Sequence, residues 1–117
     1  MLVAIIDDEL DIVNLFREAL HNIKGVTIFT FTDATVALEH FRINNSAYGI
    51  VITDLRMPDI NGLDLVYEVK KINPSVRTLL MTAFEVNDDL FYQYIKNRVI
   101  NGFLQKPIKL GELRREV

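Results

Sequence analysis

Short apolar runs alternate with amphipathic stretches from one end of this chain to the other, and that alternation restricts the fold more than any other feature. Leu2 to Ile6 is continuously apolar and reads as a strand buried on both faces. Asp7-Asp8-Glu9 follows at once. Ile12, Leu15, Phe16, Ala19 and Leu20 then recur at helical spacing. Gly25 closes that unit, and Val26 to Thr32 alternates apolar residues with threonine, as an edge strand does. Asp33 can cap a second helix whose apolar face is Ala34, Ala37, Leu38 and Phe41. After a loop at Asn44 to Ser46 comes the stretch Gly49 to Pro58, GIVITDLRMP. There Ile50 to Thr53 runs straight into Asp54, with Met57-Pro58 and Asn61-Gly62 as turn signals. Leu65, Val66, Val69 and Ile72 mark a third helix, stopped by Asn73-Pro74. Val76 to Met81 is a fourth strand ending at Thr82-Ala83. A fourth helix is expected from about Asn87 to Asn97, with Leu90, Phe91, Tyr94 and Ile95 on its apolar side. Ile100 to Gln105 is a weaker fifth strand ending at Lys106-Pro107, and Leu110 and Leu113 open a fifth helix that stops at Val117.

Strands and helices alternating at this spacing build an α/β fold, a doubly wound parallel sheet with helices on both faces. The 117 residues suffice for one domain with one core. In a parallel sheet the carboxyl ends of the strands share one rim, where open sheets place their ligand sites. Asp7-Asp8, Asp54, Thr82 and Lys106 all fall at such ends, so residues far apart in sequence converge on one crevice. The net charge of −3 supplies no basic footprint for nucleic acid or an anionic membrane. The absence of cysteine excludes disulfides and thiolate metal sites. The apolar runs are too short for a membrane span, and Met1 to Ile6 is too short for a signal peptide, so an intracellular, cytoplasmic location is expected.

The crevice has a definite chemistry. Three crowded carboxylates repel, and one stays protonated unless a cation sits among them. Oxygen donors without His or Cys suit a hard cation, Mg²⁺ first and Mn²⁺ as an alternative. Taken singly, each residue has an ordinary explanation. Asp7-Asp8 suits a helix dipole, Thr82 packs in a strand, and Lys106 is a surface ammonium. Together with Asp54 they suit phosphoryl transfer, which needs the phosphoryl oxygens stabilised by metal, cation and hydrogen-bond donors. Asp54 is then the nucleophile that forms an acyl phosphate.

At this point the chain resembles, over essentially its whole length, a response-regulator receiver domain of two-component signalling. The resemblance rests on IIDDE ending at Glu9, ITDLRMPDINGLDL through Leu65, MTA at Met81 to Ala83 and GFLQKP at Gly102 to Pro107. Each fragment alone is weak; four in this order are strong. The resemblance implies a flavodoxin-like topology with strand order 2-1-3-4-5. It implies that Asp54 is the phosphoacceptor and that Asp8, Asp54 and the backbone carbonyl of Arg56 bind Mg²⁺ directly, with Asp7 acting mainly through water. Thr82 resembles the switch hydroxyl, Phe103 the switch aromatic, and Lys106 the partner of the phosphoryl oxygens. Pro107 is expected after a cis peptide, although residue statistics alone favour trans, since only about 5–6% of X–Pro bonds are cis. Implied partners are a sensor histidine kinase or phosphotransfer protein, an output domain or downstream protein, and a second receiver in a phosphorylation-dependent homodimer. The surface of the fourth helix, fifth strand and fifth helix should carry the signal, with Tyr92 and Gln93 exposed on it.

Some positions depart from the family pattern. Where members commonly carry Gly after the fourth helix, this chain reads Asn97-Arg98-Val99, and Asn97 is expected to take the left-handed conformation. Phe rather than Tyr stands at the switch position, so no hydroxyl is available there. The fifth helix, Leu110 to Val117, is only about 12 Å long at 1.5 Å per residue. A cut before a linker and output domain is therefore expected, in preference to a stand-alone regulator. Two rival readings remain. A Mg²⁺-dependent phosphohydrolase with an aspartyl nucleophile would carry an acid two residues on, where Arg56 stands. A degenerate receiver acting only in protein binding would normally have lost an acidic or lysine position, and none is missing. A flavin-binding protein is weaker still, because no phosphate-cradling loop follows the first strand.

Overall fold

Leu2–Ile6 (β1) begins a parallel sheet whose strands are separated by single helices. A computed structural model describes residues 1–83 and 89–117. In chain order the remaining elements are α1 (Leu10–Leu20), β2 (Thr27–Phe31), α2 (Ala34–Asn44), a 3₁₀ turn (Asn45–Ala47), β3 (Tyr48–Asp54) and α3 (Gly62–Ile72), then β4 (Arg77–Thr82), α4 (Asp89–Lys96), β5 (Gly102–Gln105) and α5 (Leu110–Glu116). The five strands lie in the order β2-β1-β3-β4-β5, every pair parallel. This is the doubly wound parallel sheet expected from the alternation, in the flavodoxin-like order that the resemblance implies. Among the described residues no helix is long and apolar enough to cross a membrane.

Side-chain parity divides the core. Successive strand residues point to opposite faces. Val3, Ile5, Ile50, Ile52, Leu79, Met81 and Leu104 pack with Val13, Phe16 and Leu20 of α1 and Leu113 of α5. The alternate residues Ala4, Ile6 and Val51 meet α2 and α3 through Leu38, Phe41, Leu65 and Val69. Leu80 joins Leu63, Val66, Phe91 and Ile100 where α3 and α4 cover the sheet. Burial on both faces explains why the central strands read as unbroken apolar runs.

Several elements differ from the sequence expectation. β3 starts at Tyr48 rather than Ile50; the Tyr48 ring is buried beside Phe41 and its hydroxyl lies 2.8 Å from His40 Nδ1. That burial pushes the Tyr48 phenol up to about 12. In α1, Val13 enters the core while Leu15 stays 48% exposed. The expected start of the fourth helix at Asn87 lies outside the described residues. Within α4, Phe91 is buried and Tyr94 packs against the same cluster, whereas Leu90 and Ile95 are exposed. One edge of so short a helix reaches the sheet, so only the i, i+3 pair is covered. Tyr92 and Gln93 are exposed, as expected.

Two backbone positions were misplaced by sequence reasoning. Arg98, not Asn97, takes the left-handed conformation, with φ 61°. Its N–H donates to Ile95 O at 3.1 Å and the Val99 N–H to Tyr94 O at 2.8 Å, the paired bonds of a Schellman cap. The helix stays bonded through Asn97, whose N–H donates to Gln93 O, so the reversal falls one residue later. Asn61-Gly62 is no turn. Asn61 caps α3, its side chain accepting from Asp64 N–H at 2.9 Å, and Gly62 is the first helical residue. A Cβ on Gly62 would lie 2.3 Å from Asp54 O and 2.8 Å from Leu80 Cδ2. Only glycine lets α3 approach the end of β3 so closely.

Gly62→Ala is expected to destabilise the domain by about 1–3 kcal/mol through overpacking, measured by urea unfolding. Arg98→Gly is expected to stabilise it by up to about 1 kcal/mol, because glycine relieves the left-handed strain; thermal melts of the two variants should move in opposite directions.

Candidate functional site

Strand register brings the site together. Ile6 pairs with Thr53, so the next residues, Asp7 and Asp54, lie side by side past the ends of β1 and β3. Asp54 pairs with Met81, just before Thr82, and Thr82 pairs with Gln105, just before Lys106. The ladders continue through this rim: Asp7 N–H donates to Phe31 O, Leu55 N–H to Met81 O, and Lys106 N–H to Thr82 O. Parity then decides direction. Asp7, Asp54 and Lys106 follow the residues that face α1 and α5, whereas Thr82 and Phe103 follow those that face α4.

The carboxylate oxygens of Asp7, Asp8 and Asp54 lie within 4.8 Å of one another. Asp7 is wholly buried, Asp54 is 9% exposed and Asp8 is open to solvent. The Lys106 ammonium donates to Asp7 Oδ2 at 3.0 Å and reaches Asp54 Oδ1 at 3.4 Å. Asp7 Oδ1 accepts the Glu9 N–H at 3.0 Å, and Asp54 Oδ1 accepts the Leu55 N–H at 3.0 Å. Asp8, Glu9, Asp54, Leu55, Arg56, Thr82, Ala83 and Lys106 line a cleft of about 250 Å³. Thr82 is buried at its edge. Phe103 points outward, 55% exposed, its ring edge-on to Phe91 at 6.2 Å between centroids. The Lys106–Pro107 peptide is cis.

The electrostatics follow from this packing. Burial, then the neighbouring Asp7 charge, push the Asp54 carboxyl above its ordinary range, and Lys106 pulls only partly the other way. Burial pushes the Lys106 amine down, but the hydrogen bond to Asp7 and the charges of Asp54 and Asp7 prevail, so its net shift is upward. The donor set contains oxygen only, crowded and partly desolvated, which fits a hard divalent cation. Sequence reasoning did not anticipate the direct Asp7–Lys106 bond, because the two residues lie at opposite ends of the chain. It also missed Asp59, whose φ of 69° sits at the centre of a γ-turn closed by Ile60 N–H to Pro58 O at 2.8 Å. The aspartate after Pro58 was the available signal for that turn.

A doubly wound sheet thus carries acidic residues, a hydroxyl and a lysine on one rim. The description of the response regulator receiver domain matches residues 3–117, and the chain belongs to that family. It is 32% identical over 113 residues to the response regulator protein PilR of Pseudomonas aeruginosa, covering 97% of this chain and 24% of that protein. It is 34% identical over 123 residues to the C4-dicarboxylate transport transcriptional regulatory protein DctD of Rhizobium meliloti, covering 98% of this chain and 26% of that protein. The chain thus spans about a quarter of these curated relatives. The crystal structure of a receiver domain from Clostridium thermocellum superposes with a TM-score of 0.82 at 28% identity, covering 97% of this chain and 88% of that one. Members of the family are signalling switches of two-component systems.

The raised Asp54 carboxyl has a consequence for stability. The folded state holds this proton more tightly than the unfolded chain, so ionising Asp54 costs folding free energy. That cost sets in as pH rises above the ordinary carboxylate range and is complete once pH exceeds the folded value. Without divalent cations, Asp54→Asn should melt a few degrees above wild type at neutral pH. The gap should shrink as pH falls below the ordinary carboxylate range, as a pH series of calorimetric melts would show.

Proposed function

We propose that the domain accepts a phosphoryl group on Asp54 from a histidine donor and relays the change through α4, β5 and α5. The observation that carries this reading is the meeting of Asp54, Asp8 and Lys106 in one cleft. A carboxylate oxygen of Asp54 attacks phosphorus, the phosphorus–nitrogen bond of the donor breaks, and its electron pair returns to the imidazole. Lys106 supplies ammonium N–H groups to the phosphoryl oxygens, and Thr82, at the cleft edge, a hydroxyl. Asp8, Asp54 and the Arg56 carbonyl, with Asp7 behind them, would hold Mg²⁺ or Mn²⁺. The cation would supply positive charge against the transferring oxygens. Beside the cleft, Ile12, Leu15, Phe16, Pro107 and Ile108 line a largely apolar groove of about 450 Å³ that also reaches Lys106. A histidine-bearing helix of a sensor kinase or phosphotransfer protein seated there would present its imidazole to Asp54.

Phosphorylation adds charge and acceptor oxygens, which draw Thr82 toward Asp54 and free the space that Phe103 enters. A hydrogen bond to a charged group contributes about 1.5–3 kcal/mol. A shift from 1:99 to 99:1 needs about 5.5 kcal/mol. Thr82 alone is therefore insufficient, and Lys106, the cation and a partner or second receiver supply the remainder.

Intact mass spectrometry after incubation with acetyl phosphate, with and without Mg²⁺, tests this reading. Wild type should gain one phosphoryl group only with Mg²⁺, and Asp54→Ala should gain none. No adduct on wild type would favour a pure binding module; continuous turnover of free phosphoesters would favour a hydrolase.

A further inference from the structure

We infer that the rim opposite Asp54 carries a second site, a cation-lined cleft at the amino ends of β4 and β5 that takes a small soluble phosphate ester. The cleft holds about 380 Å³, and its lining includes Lys70 of α3, Ser75 and Arg77 leading into β4, and Arg98 and Asn101 between α4 and β5. None of the described residues that line it is acidic, in a chain whose net charge is −3. Asp54 ends its strand, whereas Arg77 begins one. In a parallel sheet those ends lie on opposed rims, so this cleft is distinct from the acidic one and the inference does not depend on phosphoryl transfer.

Of the cleft's cations, Arg77 is answered by Glu116 of α5. Lys70 is not. Its ammonium donates to uncharged oxygens only, Val76 O at 2.6 Å, Asn101 Oδ1 at 2.7 Å and Pro74 O at 3.4 Å. Burial pushes the Lys70 amine down, as befits an ammonium without a counter-ion. Arg98 has no hydrogen-bond or ion-pair partner among the described residues. Its φ of 61° is one that glycine adopts without strain, so the chain holds a guanidinium here against a conformational penalty. Asn101 Oδ1 accepts from Lys70 and from the Thr78 N–H at 2.9 Å. Both partners are donors, which fixes the carboxamide and leaves its NH₂ group without a protein acceptor among the described residues. The site therefore offers charge from Lys70, a planar fork from Arg98 and neutral donors from Asn101 and Ser75. Two uncompensated cations match a phosphate dianion, and an arginine fork suits its oxygens. The volume falls within the roughly 300–1,000 Å³ of small-molecule clefts, and Pro74 adds an apolar edge for an organic group. The negative net charge disfavours an anionic membrane, so the ligand is a soluble one.

Titration with glycerol phosphate at constant ionic strength and without Mg²⁺, followed by ¹H–¹⁵N NMR, tests the inference. In wild type the Asn101 side-chain NH₂ signals and the Ser75 and Arg98 amides should shift saturably, while the Leu55 and Lys106 amides stay in place. Arg98→Gly, which suits the left-handed backbone, should weaken binding about tenfold or more. Lys24→Gln removes an exposed lysine just before β2, at the other edge of the sheet, and should leave the affinity unchanged. The absence of saturable shifts in wild type would overturn the inference with no substitution involved. Equal affinity in Arg98→Gly would also overturn it, and so would an equal loss in Lys24→Gln, since the attraction would then be one of general charge. Sedimentation with phosphatidylcholine vesicles containing phosphatidic acid, without any response to glycerol phosphate, would replace the soluble ligand by a lipid headgroup and refute the inference as stated.

Discussion

Two carboxylates side by side at the end of neighbouring strands, one of them wholly buried, are tenable only with a counter-charge. Asp7 and Asp54 are forced together by the register of β1 and β3, and Lys106 answers them from the far end of the chain. Breaking a buried pair by removing one partner commonly costs about 3–5 kcal/mol, because the other charge is left uncompensated. Most of the local geometry serves that one contact. β5 must run parallel to β4 at the register that puts Lys106 just beyond Gln105, and Asp7 must be steadied from behind by the Glu9 N–H. The same arrangement leaves Asp54 reluctant to ionise and Asp8 facing solvent, which is the condition a hard cation would relieve.

Much of this was legible in the sequence, and for identifiable reasons. The central strands are buried on both faces, so they read as uninterrupted apolar runs. The polar residues that end them stand out against that background. Asp7, Asp54, Thr82 and Lys106 each lie at a strand's last residue or one past it, so alternation alone brought them to one rim. Tyr48 escaped notice because a tyrosine next to a glycine looks like loop, yet its ring is buried and its hydroxyl is met by His40. Phe103 is exposed although a strand aromatic is usually core. Its parity turns it toward α4, which covers that face of β5 incompletely.

The remaining misses are contacts between segments remote in sequence. Nothing adjacent to Gly62 announces that the backbone of Asp54 will press against it. Likewise, Arg98 in place of Asn97 at the left-handed position depends on how far the α4 bonds continue, and the Val99 carbonyl then accepts from the Thr78 hydroxyl of β4. Asn101 adds to this, its side-chain oxygen accepting from Lys70 at 2.7 Å and from the Thr78 N–H at 2.9 Å. The end of α4 is thereby fastened to β4 and α3 by polar bonds that no local pattern encodes.

That fastening gives α4 a fixed end. Its carboxyl terminus is pinned by the Arg98 reversal and the Thr78–Val99–Asn101 bonds, so a displacement that keeps those bonds must turn the helix about that end. A small change beside Thr82 would be felt as a tilt about a fixed fulcrum rather than as a translation of the whole helix. A partner reading α4 would then sense an angle, graded along the helix and greatest farthest from the anchor.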